Sequence, residues 1–118
     1  MKFKKYQIDA VETLEKYLLL LRKLKPRHAF NEITDEKYNH EWFGDVPFIC
    51  MKIPTGGGKT LVGCKSLGTI MSSYLQNKMD KGVVVWFTPS DAIKQQTLHK
   101  FRDQKDLHFG LLNETFGN

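Results

Sequence analysis

Residues 53–60 of the chain read IPTGGGKT, and the flanking sequence is interpreted outward from this stretch. A short apolar run that favours the β conformation, residues 48–53, leads into it. After the glycines, apolar residues recur every three or four positions from residue 61 to residue 75, the period of a helix with one buried face. We therefore predict a buried strand, a glycine-rich loop and a helix over residues 59–77.

A second apolar run, residues 83–87, is typical of a strand covered on both faces. Ser90 follows it and is well placed to cap a helix over residues 91–102. A helical stripe from residue 8 to residue 24 predicts an N-terminal helix that ends at Pro26. A strand, a crossover helix and a second strand favour a right-handed parallel pair. The predicted fold class is α/β: a parallel sheet with helices on both faces, preceded by the N-terminal helix.

The other regions are less regular. Residues 28–47 carry five acidic side chains and one basic side chain without a helical period, and we interpret them as an acidic loop insert that contains aromatic residues. Residues 107–118 could supply one more strand. Cys50 and Cys64 stand apart in apolar contexts, so we expect two buried thiols rather than a disulfide framework or a zinc site.

Composition narrows the class of protein. The chain has 118 residues and a net charge of +5, and it has no apolar run near the roughly 20 residues that a membrane span needs. Acidic residues interrupt the N-terminal apolar positions, which argues against a secretory leader. We therefore expect a cytoplasmic protein without a membrane partner. The surplus of basic side chains weakly favours a polyanionic partner.

The glycine stretch has the chemistry of a phosphate-binding P-loop. Glycines allow successive backbone N–H groups to face a phosphate at a helix N-terminus. The Lys59 ammonium would bind the β and γ oxygens of a nucleotide triphosphate, and the Thr60 hydroxyl would bind the Mg²⁺. The predicted cofactors are ATP and Mg²⁺, and Lys59 and Thr60 are the candidate catalytic residues. Ile53 stands where the strict pattern has another glycine. The predicted nucleotide site comprises Pro54, Thr55, Gly56, Gly57, Gly58, Lys59 and Thr60.

Two motifs carry a family resemblance. The form Pro-Thr-Gly-x-Gly-Lys-Thr resembles motif I of superfamily two helicases and translocases of the DEAD/DEAH type. Tyr6-Gln7-x-x-Ala10, upstream on a predicted helix, resembles their Q motif. The resemblance implies that Gln7 recognises the adenine edge, for which an amide that both donates and accepts is suited. Lys4 stands where the family usually has an arginine.

A third motif follows the second apolar run. Thr88-Pro89-Ser90, Ile93 and Gln96 resemble motif Ia, which implies contacts with a nucleic-acid backbone. The residues concerned are Thr88, Pro89, Ser90, Lys94 and Gln96. The amino-acid sequence at residues 49–53 and 89–92 is most similar to that of the helicase-like subunits of type III restriction enzymes. This resemblance implies a RecA-like domain, double-stranded DNA as the polymer and a modification methyltransferase as a partner.

The acidic motif II that such enzymes need for hydrolysis is not found after the second apolar run. We therefore interpret residues 1–118 as the N-terminal part of a RecA-like ATP-binding domain, truncated before motif II, with the remainder of the helicase core elsewhere. Two alternatives stay open: a P-loop kinase or other NTPase acting on a small molecule, and a non-catalytic interaction module. The choice between DNA and RNA also stays open.

Overall fold

The computed structural model of the protein describes residues 3–36, 38, 42, 44–54, 56–75 and 83–116. Within these ranges the structure has five helices of at least nine residues. No helix among them is long and apolar enough to cross a membrane. Their bounds are α1 Lys5–Leu20, α2 Pro26–Thr34, α3 Lys59–Ser73, α4 Asp91–Arg102 and α5 Leu107–Phe116.

The prediction of an α/β fold with a RecA-like parallel sheet is wrong, because no described residue lies in a β-strand. Residues 48–53 and 83–87, the two predicted strands, have no regular secondary structure, and no backbone hydrogen bond between described residues joins them. Val83 and Phe87 are each 88% exposed. A β-strand is stable only when neighbouring strands form backbone hydrogen bonds with it, and two short strands without further partners are only marginally stable. High β-propensity in both segments was therefore an insufficient predictor.

Helix α1 is amphipathic as predicted, but it is shorter. Its buried stripe includes Val11, Leu14 and Leu18, and the helix ends at Leu20 rather than at Pro26. Pro26 instead lies in the first turn of α2, where its missing N–H costs nothing and its fixed φ suits a helix. The loop expected from residue 28 therefore begins only after Thr34, the last residue of α2.

Helix α3 lies at the centre of the fold and packs against both α1 and α5. Leu61 and Cys64 of α3 form a buried cluster with Leu111 of α5. Burial raises the pKa of the Cys64 thiol to about 11, so this thiol stays protonated near neutral pH. Cys50 is exposed, contrary to the expectation of two buried thiols.

The C-terminal half contains two capped helices. The Ser90 hydroxyl oxygen accepts a hydrogen bond from the Ile93 N–H at 3.3 Å, which confirms the predicted cap and the bounds of α4. The strand expected over residues 107–118 is wrong, since residues 107–116 form α5. The Asp106 carboxylate accepts the His108 N–H at 2.8 Å at the start of α5, and this hydrogen bond lowers the pKa of Asp106.

Candidate functional site

The loop before α3 is a tight turn that depends on glycine backbone conformations. The Gly57 N–H donates to the Pro54 carbonyl oxygen at 2.8 Å. Gly56 and Gly58 have φ angles of 76° and 80°, in the left-handed region that other residues enter only with strain. Gly58 is also the residue immediately before α3. Thr55, a predicted member of the site, lies outside the described residues.

The three glycines are needed for different reasons. A Cβ atom on Gly57 would lie 2.7 Å from the Pro54 carbonyl oxygen, a backbone atom that cannot easily move. A Cβ atom on Gly58 would lie 2.6 Å from the Gln7 side-chain nitrogen. A Cβ atom on Gly56 would have no neighbour within 4 Å, so only its φ angle requires glycine. Position 58 therefore combines a conformational requirement with a steric one.

Two side chains from the first turn of α1 hold the loop. The Tyr6 hydroxyl donates to the Gly57 carbonyl oxygen at 2.8 Å, and the Gln7 side-chain N–H donates to the same oxygen at 2.7 Å. We call Tyr6 and Gln7 together the Gly57 clamp. These hydrogen bonds join residues 50 and 51 positions apart in sequence. They fix the glycine loop against the N-terminus of α1.

Gln7, which the resemblance assigns to adenine, lies beneath the loop and is 5% exposed. Its amide oxygen accepts the Lys4 N–H at 2.8 Å, while its amide nitrogen donates to Gly57. One N–H and one oxygen lone pair of the amide are left by these two hydrogen bonds. Gln7 also lines a cavity of about 520 Å³ between α1, α3 and α5, whose other walls include Phe3, Ile8 and Thr69.

Lys59 and Thr60 form the first turn of α3, directly after the glycines. Lys59 is exposed and Thr60 is half-buried. The first N–H groups of a helix have no partner within the helix, and the helix dipole adds partial positive charge there. An open cavity of about 570 Å³ adjoins this turn and is lined by Lys52, Ile53, Pro54 and Lys59, together with Met51. Two ammonium groups and a helix N-terminus thus favour an anion at this end of α3.

Neither the position of Lys52 nor the contact of Tyr6 with the loop was predicted from the sequence. Lys52 lies inside a run that was interpreted as a buried strand, and a charged side chain there was a signal that one face is open to solvent. The sequence indicates Tyr6 only as the residue before Gln7 in the Q-like motif. No local spacing could have indicated its contact with Gly57, because that contact spans 51 positions.

The predicted nucleic-acid residues lie around the start of α4. The Thr88 hydroxyl donates to the Ser90 carbonyl oxygen at 3.4 Å, and the Ser90 side chain caps the helix. Pro89, Lys94 and Gln96 are exposed. Among the described residues no hydrogen bond connects this group with the glycine loop. The two predicted sites are therefore held by separate contacts.

His, Cys, Asp and Glu side chains are scattered over the described parts of the chain. No group of three or more His, Cys, Asp or Glu side chains there could hold a metal ion. Thr60, the predicted Mg²⁺ ligand, is the second residue of α3 and is not among the residues that line the open cavity.

Comparison with known proteins gives one family. The sequence model described as type III restriction enzyme, res subunit, matches residues 1–113. No curated protein and no solved structure matches the chain.

Proposed function

The chain belongs to the family of type III restriction enzyme res subunits, and from this premise we propose that it binds Mg-ATP as the ATP-binding part of a DNA helicase or translocase. The observation that carries the proposal is the glycine loop. Its middle carbonyl is held by Tyr6 and Gln7, and it leads directly into the helix that begins with Lys59. Such a loop supports binding of a triphosphate by electrostatics and backbone N–H groups.

Each residue of the loop has a role in this proposal. The backbone of Gly56, Gly57 and Gly58 approaches the phosphates, and the Lys59 ammonium neutralises the β and γ oxygens. The Thr60 hydroxyl would hold a Mg²⁺ ion bound together with the nucleotide, and this ion would supply further positive charge to the phosphates. Pro54 closes the turn through its carbonyl oxygen, and Thr55 completes the loop in sequence. Lys52 adds a second positive charge at the open cavity.

Gln7 is proposed to contact the adenine edge as well as the loop. Its side chain lies between the glycine loop and the cavity of about 520 Å³, whose volume is in the range of small-molecule sites. The amide retains one donor and one acceptor for a base. A nucleotide could therefore be recognised at the base and at the phosphates by residues in contact with each other.

DNA is the proposed polymer, bound through Thr88, Pro89, Ser90, Lys94 and Gln96. Exposed ammonium and amide groups at a helix start are suited to the phosphates of the DNA backbone. Contacts with these phosphates orient a protein on DNA without reading the base sequence. A modification methyltransferase and the remainder of a helicase core are the proposed protein partners, and the proposed location is cytoplasmic.

A pair of lysine variants tests the nucleotide proposal. Lys59→Ala removes the charge nearest the phosphates, and we expect Mg-ATP affinity to fall at least tenfold by calorimetry, since a charge-assisted hydrogen bond contributes about 1.5–3 kcal/mol. Lys16→Ala is the matched control, because Lys16 is an exposed lysine of α1.

The same titrations distinguish the alternatives. Equal affinities of Lys59→Ala and the parent would refute phosphate binding by this loop. Binding of ATP without salt-dependent DNA binding would favour a small-molecule NTPase, and absence of nucleotide binding in the parent would favour an interaction module.

A further inference from the structure

We propose that Tyr6 is a positioning residue for phosphate binding: its hydroxyl, with the Gln7 amide, orients the Gly57–Gly58 peptide so that the Gly58 N–H is available to a phosphate. This inference rests on the proposed ATP-binding function. It assigns to Tyr6 a task distinct from contact with the nucleotide itself.

The orientation follows from the planarity of the peptide bond. In a trans peptide the carbonyl oxygen of one residue and the N–H of the next point in opposite directions. The Gly57 carbonyl oxygen faces α1, where it accepts both hydrogen bonds of the Gly57 clamp. The Gly58 N–H therefore points away from α1. No described residue accepts a hydrogen bond from this N–H, so it is free for a ligand.

The loop needs such a restraint because glycine does not supply one. Gly57 has φ outside the positive region, whereas its neighbours Gly56 and Gly58 have positive φ. Residues without a Cβ interconvert readily between these regions. A rotated Gly57–Gly58 peptide would turn its carbonyl oxygen toward the phosphate position and repel the anion. It would also leave both clamp donors without their acceptor.

Tyr6 and Gln7 restrain the peptide from two directions. A carbonyl oxygen has two lone pairs, and the clamp uses both. The Gln7 amide is itself held by the Lys4 N–H. The Tyr6 ring is rigid, and its hydroxyl lies 3.1 Å from the position of a Cβ on Gly57, so it contacts the peptide closely. Tyr6 is 39% exposed, so a substitution that removes its hydroxyl leaves no cavity in the core.

Two tyrosine variants test this inference. Tyr6→Phe deletes only the hydroxyl that donates to Gly57. Tyr17→Phe is the matched control on the same helix, since the Tyr17 hydroxyl is buried and has no hydrogen-bond partner among the described residues. We expect Tyr6→Phe to lower Mg-ATP affinity about three- to tenfold, the effect of one lost hydrogen bond. Adenosine affinity should be unchanged, and Tyr17→Phe should bind ATP like the parent.

An NMR measurement adds a readout that a purely structural role would not move. In ¹H–¹⁵N spectra of the full chain, the Gly58 amide resonance should shift in Tyr6→Phe and stay in place in Tyr17→Phe, while the thermal midpoint of Tyr6→Phe stays close to that of the parent. Equal losses of ATP and adenosine affinity, or an unmoved Gly58 resonance, would overturn the inference.

The Lys59→Ala variant separates this inference from the proposed function. If Lys59→Ala loses ATP affinity but Tyr6→Phe does not, the positioning role is wrong and phosphate binding stands. If the parent chain binds no ATP, the proposed function fails first and the positioning role fails with it.

Discussion

The glycine loop at residues 54–58 and the segment at residues 83–90 resemble each other in sequence and differ in structure. In each, an apolar run is followed by a helix-breaking stretch and then a helix. The glycine loop is tied by two hydrogen bonds to α1, some 50 positions away. The hydrogen bonds of residues 88–90 reach no farther than α4. The backbone of the glycine loop is therefore held by a distant element, whereas these hydrogen bonds of residues 88–90 are local.

Residues 83–87 do have one long-range anchor, Trp86. Its ring packs edge-on against Phe101 of α4 with centroids 5.2 Å apart. It also lies so close to Gly63 of α3 that a Cβ there would be 2.7 Å from a ring atom. The other residues of this run are more exposed than Trp86. The apolar contacts of this one side chain thus anchor the segment, as two hydrogen bonds anchor the glycine loop.

The largest effect is expected where the loop meets α1. Gly58→Ala forces alanine to φ near 80° and brings its Cβ within 2.6 Å of Gln7. We expect a loss of roughly 2–3 kcal/mol in the free energy of unfolding, of which about 1–2 kcal/mol is left-handed strain, and loss of measurable ATP binding. Urea denaturation and calorimetry measure the two quantities.

Gly44→Ala is the control for Gly58→Ala. It imposes a similar strain, with φ of 58°, but its Cβ meets no atom within 4 Å. Only the strain should appear there, with ATP binding retained. Equal effects of the two substitutions on both quantities would show that the Gln7 contact contributes nothing.

A smaller effect is expected at the Trp86 anchor. Gly63→Ala should displace the ring from α3, and because of overpacking its free energy of unfolding should be about 1–2 kcal/mol lower than that of Gly110→Ala. Gly110 lies in helix α5, and a Cβ atom there would meet open space. Gly110→Ala should therefore raise the free energy of unfolding by up to about 1 kcal/mol through helix propensity. Trp86 fluorescence in a Trp42→Phe background reports the displacement. An unshifted emission would show that the anchor is not formed.

The smallest effect is expected at the start of α4, where Ser90 has both a structural and a proposed DNA-binding role. Ser90→Ala should lose about 1 kcal/mol of stability, since the cap to Ile93 is removed. Ser90→Asp retains a cap but adds a negative charge, so we expect stability to be preserved and DNA affinity to fall. Thermal denaturation and DNA titrations at two salt concentrations separate the roles. Undiminished DNA binding by Ser90→Asp would leave Ser90 as a cap alone.

The elements that were predicted correctly are those with local signals. The apolar stripe of α1, the periodic run of α3 and the Ser90 cap of α4 can be recognised within windows of about four residues, because helical hydrogen bonds join residues four apart. The two predicted strands failed because strands require partners, whereas the loop expected from residue 28 failed although α2, which ends at Thr34, is a local element. Residues 48–53 and 83–87 have the apolarity of strands but no strand conformation in the part of the chain that the structure describes, and residues 107–116 are helical.

By itself the sequence determined the glycine-rich loop before α3, the position of Lys59 in the first turn of α3 and membership in the family. These depend on neighbouring residues, so they can be recognised from spacing. Only the tertiary structure decided that Tyr6 and Gln7 meet the Gly57 carbonyl and that no backbone hydrogen bond between described residues joins the two apolar runs. Both outcomes join or separate residues tens of positions apart. They are set by how α1, α3 and α5 pack, which no local pattern specifies.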